Sequence, residues 1–261
     1  MILPDLLPQI IDLACHAGDI IMTYYNKDFV VVEEKPDTSP VTPADKEADE
    51  FILSGLRKLT PDIPAISEEI FDHLSSPYLE KNDRQFWLID PLDGTRQFIK
   101  KNPEFTVNIA LIRDHKPIFG VIHVPCNNTT FWGGENLGAW RSNNGIKNAI
   151  AARTPDKAGL TIVTSRSNKM PEHAKSFLEK YTILERNPVS SSLKFCLLAE
   201  GKADLYPRFG HTMEWDTAAG QAILEAAGGS VRQVNNQPLM YGKNGFINPF
   251  FVAWGHNQKI L

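Results

Sequence analysis

Apolar residues recur at helical spacing from the start of the chain. Leu3, Leu6, Ile10, Leu13, Ala17, Ile20, Ile21 and Tyr24 share one face, which predicts a long amphipathic opening helix. The pattern then shortens. Residues 26–36 read as a strand and turn with Phe29, Val30, Val31 and Val32 as the core, and KPDTSP at 35–40 reads as a loop. A second helix is predicted from Thr42 and Pro43, with Ala48, Phe51, Ile52, Leu56 and Leu59 on its buried face. Thr42 suits the N-cap, Pro43 the first helical position, and Asp45 the third, the spacing of a capping box. From local sequence Asp45 is a helix-start acid favoured by the dipole.

Residues 63–66 form a short, edge-like strand that ends in Ser67, Glu68 and Glu69, and residues 70–84 look like an exposed polar insert. Two apolar runs at 105–113 and 117–124, joined by Asp114, His115 and Lys116, predict a hairpin. Shorter strands at 129–132 and 138–141 extend it, so this half reads as helices on an antiparallel sheet. Composition turns polar over 141–147, and a domain crossing is expected within 151–158. That divides the chain into an α+β part, residues 1–153, and an α/β part, residues 154–261. In the second part strand-like segments (160–164, 182–185, 203–206, 231–234, 250–253) alternate with helical ones (171–180, 191–199, 215–227). Gly228 and Gly229 close the last helix.

Composition narrows the functional classes. The chain has 261 residues, 42% hydrophobic and 22% charged, enough for one large or two small domains with a proper core. A net charge of −4 without a long basic run argues against a nucleic-acid polymer as partner. No stretch is apolar for long enough to span a membrane, and MILPDLLPQI does not read as a signal peptide. Cys15, Cys126 and Cys196 are odd in number and lie in apolar contexts, which points to reduced thiols and a cytoplasmic setting.

The chemistry concentrates in residues 86–101, FWLIDPLDGTRQFIKK. An apolar run, 86–89, delivers Asp90 and Asp93, and Gly94 and Thr95 open a segment able to turn helical. Pro91 has no N–H and is expected to stop the strand, leaving both acids at its end. Carboxylates hold a hard cation through oxygen, and free N–H groups at a helix start hold an anion. The same run is also ordinary turn chemistry. What separates the two is how many other acids converge: Glu68, in a Glu-Glu pair that otherwise reads as a solvated loop, would sit next to Asp90 if their strands are neighbours, and Asp216 in EWDTAAGQA stands at the start of the last strong helix, where it would otherwise be an N-cap.

These residues resemble a known family. WLIDPLDGTRQFI is similar to the metal-binding signature of the inositol monophosphatase superfamily, and WDTAAGQAILEAAGG to its second signature. PVTPAD, SEE, NPEFTVNIALI and SSSLKFCLLAEGKADLYPRFG resemble the CysQ-type 3′(2′),5′-bisphosphate nucleotidases of that superfamily, in matching order over nearly the whole chain. The resemblance implies a layered αβαβα sandwich and a Mg²⁺-dependent, Li⁺-sensitive phosphatase. Glu68, Asp90 and the backbone carbonyl of Leu92 would hold one Mg²⁺; Asp90, Asp93 and Asp216 a second; a third, weaker site near Glu68 is allowed. Asp45 and Thr95 would orient and deprotonate the attacking water, with Glu68 as a further catalytic group. Gly94 and Thr95 would bind the scissile phosphate through backbone N–H groups, with Glu68, Leu92, Asp93 and Asp216 around it.

Ser191, Lys194 and Arg208 are the candidates for the nucleotide's other phosphate or ribose, since Lys and Arg make strong charge-assisted bonds. Their competing readings are an N-cap, a solvated helix charge and a loop charge. Ser165, Arg166 and Ser167 are further pocket candidates. The implied substrate is adenosine 3′,5′-bisphosphate, cleaved to AMP, with its sulfated parent as a second. A monomer or homodimer and at most peripheral membrane contact are compatible with this reading. A close rival is an inositol monophosphatase or sugar-phosphate phosphatase with the same metal site, against which the Lys194 and Arg208 context argues. A rival of another class is a nucleotide- or metal-binding module without turnover, against which the intact acid set argues.

Overall fold

The structure, a computed structural model, describes residues 3–35, 38–71, 79, 84–166 and 171–256. The opening helix α1 spans Leu3–Tyr25 and α2 spans Pro43–Leu59. Between them lie two very short strands, β1 (Glu33–Glu34) and β2 (Pro40–Val41), which among the described residues pair only with each other. The expected strand core at 29–32 is not one: the segment is irregular, and Phe29 is 80% exposed. It has no sheet to join, so a β-rich composition had nothing to pair with. On α2 the expected face is buried at Ala48, Ile52 and Leu56, whereas Phe51 turns outward to pack beside His16 of α1.

Seven strands form the larger sheet, in the order β3 (Ala65–Ser67), β4 (Gln85–Asp93), β5 (Thr106–Arg113), β6 (Lys116–Val124), β7 (Thr129–Gly134), β8 (Gly138–Asn143) and β9 (Ile146–Ile150). Only β3 and β4 run parallel; the other neighbours are antiparallel. The polar stretch 141–147 forms a hairpin between β8 and β9. Asn144 and Gly145 both have positive φ, 48° and 81°, the primed turn that an Asn-Gly pair favours. Most of the expected insert at 70–84 lies outside the described residues.

The second sheet has the order β11 (Ile183–Pro188), β10 (Leu160–Thr164), β12 (Leu205–Arg208), β14 (Phe251–Trp254) and β13 (Ser230–Gln233). β10 is parallel to both its neighbours, and β14 is antiparallel to both of its own. Three helices interleave: α4 (Glu172–Leu178), α5 (Leu193–Ala199) and α6 (Ala218–Ala226), while the short α3 (Thr95–Ile99) follows β4. The last helix begins three residues later than its sequence suggests, because 214–217 form a separate turn.

Side-chain alternation along β4 assembles the layers. Trp87 and Ile89 join the cluster of Ile10, Ala17, Ala48, Ile52 and Leu56, so α1 and α2 cover one face. Phe86 and Leu88 point the other way, into a cluster with Phe195, Leu198, Ala219 and Ile223 of α5 and α6 and with Val163, Tyr206, Phe251 and Ala253 of the second sheet. Leu160, Ile162, Leu205 and Val252 face outward onto Leu178 of α4. The order is thus helix pair, sheet, helix pair, sheet, helix, the expected αβαβα sandwich. Burial on both faces is why β4 reads as an unbroken apolar run. α6 lies almost on the backbone of β6: a Cβ at Gly120 would come within 2.4 Å of the Ala219 carbonyl oxygen. Among the described residues no helix is long and apolar enough to cross a membrane.

Candidate active site

The parallel pairing of β3 with β4 puts Ser67 opposite Ile89, and the Glu68 N–H donates to the Ile89 carbonyl at 3.1 Å. This carries Glu68 to the flank of Asp90. Pro91 does not stop the strand. β4 continues through a register shift between Asp90 and Asp93, and Asp93 pairs with Thr106. A bulge is where a proline is tolerated inside a sheet, since no ladder N–H is needed there. The kink turns Asp90 inward, where its Oδ1 accepts the Leu92 N–H at 3.1 Å. Gly94 then takes φ 101°, a left-handed turn suited to glycine, and launches α3 at Thr95.

Asp216 arrives from the turn before α6, and there it is not the N-cap; that position is Thr217. Carboxylate oxygens of Glu68, Asp90 and Asp216 lie within 4.8 Å of one another. Asp93 lines the same cavity but stands outside that trio, its Oδ2 accepting the Ser192 N–H at 2.7 Å and Asn108 Nδ2 at 3.4 Å. Burial, and then the charges of Glu68, Asp93 and Asp216, push Asp90 well above the usual carboxylate range. Asp216 is raised in the same way, by burial and by Asp93 and Glu68. Asp93 is pushed up to about 6 by burial, against the opposing pull of Lys194 and the Ser192 N–H. Buried like charges that raise one another are relieved by a cation, and an all-oxygen donor set suits a hard divalent one. The residues present therefore fit Mg²⁺.

Asp45 does two jobs at once. One oxygen, Oδ2, closes the capping box by accepting the Thr42 N–H at 2.8 Å and Thr42 Oγ1 at 2.6 Å. The other, Oδ1, accepts Thr95 Oγ1 at 3.0 Å across 50 positions of sequence. Thr95 Oγ1 also lies 3.2 Å from the Leu92 carbonyl. Burial raises Asp45 despite the bonds from Thr42 and Thr95. One turn later on α2, Asp49 accepts from Ser67 Oγ just ahead of Glu68, and burial pushes it up to about 6.

The opposite wall comes from the second half. Ser191 has φ 51°, and α5 follows it at once. Lys194 is not a solvated helix charge: it is 5% exposed, with Nζ donating to the Ser191 carbonyl at 2.5 Å and lying 5.2 Å over the Tyr206 ring. Burial pulls it down to about 8, with Arg208 adding to the pull and Asp93 opposing it. Arg208, at the end of β12, donates to Ser165 Oγ at 2.6 Å and to the His211 carbonyl at 2.5 Å. Its buried Nε has no partner among the described residues. Glu68, Asp90, Leu92, Asp93, Gly94, Thr95, Ser191, Lys194, Arg208 and Asp216 all line one open cavity of about 490 Å³. Ser165 and Arg166 line it too, and Ser167 lies outside the described residues.

Sequence reasoning missed three features here. Lys35, placed in a loop, reaches Glu68 at 2.9 Å and Glu69 at 2.8 Å. Burial disfavours its charge, but the two glutamates outweigh that and raise it. Ser192 Oγ donates to Asn108 Oδ1 at 2.7 Å and lies 2.7 Å from Thr106 Oγ1, tying α5 to β5 beside Asp93. Arg166 forks onto Glu104, with Nε at 2.6 Å from Oε2, and that oxygen also accepts the Ser190 N–H at 2.9 Å. Polar residues inside an apolar strand, Thr106 and Asn108 in TVNIALI, were the available signal for the second feature. Nothing local marked the other two.

Similarity to known proteins extends along most of the chain. The inositol monophosphatase family model matches residues 4–260. The 3′(2′),5′-bisphosphate nucleotidase CysQ of Escherichia coli strain K12 is 45% identical over 251 residues, 94% of this chain and 98% of that protein. The protein of the same name from Haemophilus influenzae is 36% identical over 256 residues, 96% of this chain and 93% of that one. Among solved structures, CysQ from Bacteroides thetaiotaomicron superposes with a TM-score of 0.79 at 36% identity over 94% of each chain. An IMPase from Thermotoga maritima gives 0.77 at 26% identity over 96% of this chain and 92% of its own.

Proposed function

The chain belongs to the inositol monophosphatase family, and from that premise we propose that it is a Mg²⁺-dependent 3′(2′),5′-bisphosphate nucleotidase. It hydrolyses the 3′-phosphate of adenosine 3′,5′-bisphosphate to AMP and phosphate, and accepts the sulfated parent nucleotide. The observation that carries this reading is one cavity with an acid cluster, Glu68, Asp90 and Asp216, on one wall and Lys194 and Arg208 on the other. An inositol monophosphate has no second phosphate for those two cations, whereas a nucleoside bisphosphate does. Three free thiols, Cys15, Cys126 and Cys196, fit a reducing, cytoplasmic setting.

Glu68, Asp90, the Leu92 carbonyl, Asp93 and Asp216 are the groups that would hold two Mg²⁺. What the bound ions supply is neutralisation of the phosphate dianion and a more acidic water. The protein's own steps are positional and protonic. The Gly94 and Thr95 N–H groups orient the reacting phosphate for in-line attack. Thr95 Oγ1 takes a proton from the attacking water as its own proton passes to Asp45 Oδ1, 3.0 Å away. The water oxygen bonds to phosphorus as the P–O3′ bond breaks, and O3′ leaves with the bonding electron pair and takes up a proton from solvent water. Burial that raises Asp45 makes it the better base. Lys194 and Arg208 grip the 5′-phosphate and set which ester is presented.

The test is phosphate release, with Mg²⁺ and with or without Li⁺, from adenosine 3′,5′-bisphosphate, inositol 1-phosphate and fructose 1,6-bisphosphate side by side. Preference for the nucleotide, Mg²⁺ dependence and inhibition by Li⁺ are expected. A preference for either of the other two esters overturns the substrate assignment and leaves the metal site standing.

A further inference from the structure

Within the cluster Asp90 lies in β4 and Glu68 follows β3 directly, its N–H bonded to β4, whereas Asp216 is carried on a turn outside the large sheet. It sits on a single turn, 212–217, between β12 and α6, and such a turn is not rigid by itself. The structure holds it from outside, through residues 241–248. Asn248 is the centre of that hold. Its N–H donates to the Thr212 carbonyl at 3.0 Å, and its Nδ2 donates to the Met213 carbonyl at 2.7 Å and to Thr217 Oγ1 at 2.9 Å. The Met213 N–H, on the adjoining peptide, donates to Asp216 Oδ2 at 2.9 Å. Thr217 Oγ1 itself donates to the Glu214 carbonyl at 3.1 Å, so it must accept from Asn248. That fixes the amide: Nδ2 faces two acceptors, and Oδ1 faces the Lys243 ammonium at 3.3 Å.

Glu214 supplies the second clamp. Its side chain is fully buried and accepts the Gly242 N–H at 2.6 Å, the Lys243 N–H at 2.9 Å and Lys243 Nζ at 2.6 Å. Its own N–H donates to the Phe246 carbonyl at 2.8 Å, and its carbonyl accepts the Ala218 N–H at 3.0 Å, the start of α6. Lys243 offsets the charge of Glu214, so the clamp adds no net negative charge beside Asp216. Both ends of the turn are thus nailed to one remote segment.

We propose that Asn248 and Glu214 are positioning residues for Asp216, holding its carboxylate in the arrangement that completes the cation site. Neither lines the cavity; Asn248 acts through the Met213 carbonyl and Thr217 Oγ1, and Glu214 through its own backbone within the turn. The inference rests on Asp216 being a metal ligand. Groups that orient a ligand from behind change metal affinity by about 10–100-fold when removed.

The experiment measures Mn²⁺ binding by electron paramagnetic resonance on the full chain, together with the Mg²⁺ concentration that gives half-maximal turnover. Asn248→Ala is expected to weaken Mn²⁺ binding by about 10–100-fold and to raise the half-saturating Mg²⁺ in parallel, so that turnover lost at low Mg²⁺ is regained as Mg²⁺ is raised. A role in stability alone lowers the melting temperature and leaves both metal constants where they were. A folded Asn248→Ala protein with wild-type metal constants overturns the proposal. If that variant fails to fold, Lys243→Met decides on the same readouts, since it removes only the ammonium shared by Asn248 and Glu214; unchanged metal constants there also overturn it. Asp216→Asn is the control. Wild-type Mn²⁺ binding in that protein means the metal assignment itself has failed, an outcome distinct from failure of the clamp.

Discussion

Asp45 and Asp216 both stand at helix starts beside the same cleft, Asp216 lining it and Asp45 buried behind Thr95, yet they are held in opposite ways. Asp45 lies inside α2, in a capping box written into four consecutive residues: Thr42 Oγ1 accepts the Ala44 N–H at 3.2 Å, and Asp45 returns a bond to the Thr42 N–H. Local sequence therefore places it before any tertiary contact forms, and only its second oxygen waits for Thr95. Asp216 precedes its helix, makes no N-cap bond, and owes its position to Asn248 and Glu214 acting with a segment some 30 residues away. The proposed base is thus preset by its own helix. A ligand that must complete a site with groups from another sheet can be set only where the two halves meet.

That contrast can be broken by substitution. The largest effect is expected at the acids that hold charge directly. Asp216→Asn and Asp93→Asn should each cost several kcal/mol of transition-state stabilisation, about 10³-fold in kcat at fixed Mg²⁺. The fold should survive and, with metal chelated, gain stability, because a member of a repelling buried group has been neutralised. Near-normal turnover in either variant would refute the metal assignment; calorimetry in EDTA checks the stability sign.

Next comes the proton path. Thr95→Ala should lower kcat by about 10²-fold with little change in melting temperature, whereas Asp45→Ala should lower both, since it also opens the capping box. Equal melting temperatures for the two variants would sink the division of labour between the two Asp45 oxygens.

A smaller effect concerns the basic wall. Lys194 is held down to about 8 by burial, below the ordinary lysine value, so it is charged below that pH and neutral above it. Binding that depends on its charge is present at low pH and lost as pH rises through 8. The kcat/KM for adenosine 3′,5′-bisphosphate should therefore fall about tenfold per unit on the alkaline side. Lys194→Arg should flatten that limb, because arginine keeps its charge. An identical limb in the arginine variant assigns the titration to another group.

The smallest is Thr42→Ala, which removes the reciprocal cap alone. It should cost about 1 kcal/mol, read as a melting shift of about 2–4 °C. A larger loss would mean that Thr42 matters to more than the helix start.

The amino-acid sequence by itself determined a good deal. The period of α1, the capping box of α2, the hairpin of β5 and β6 and the doubly buried run of β4 follow from spacing and side-chain type, since each is satisfied within a few residues or by burial alone. The acids Glu68, Asp90, Asp93 and Asp216 could be picked out because their residue types and element ends suit hard-cation chemistry. Tertiary structure decided the rest. Phe29 to Val32 carry every mark of a strand and remain irregular, because a strand needs a partner edge and β2 offers only two residues. Pro91 reads as a strand stop and sits in a bulge, because the Asp93–Thr106 pairing resumes beyond it. Lys35 on Glu68, Ser192 on Asp93 and Asn248 behind Asp216 are bonds between segments far apart in the chain. Such bonds carry no local signature, because what selects them is which groups are left unpaired once five layers have closed.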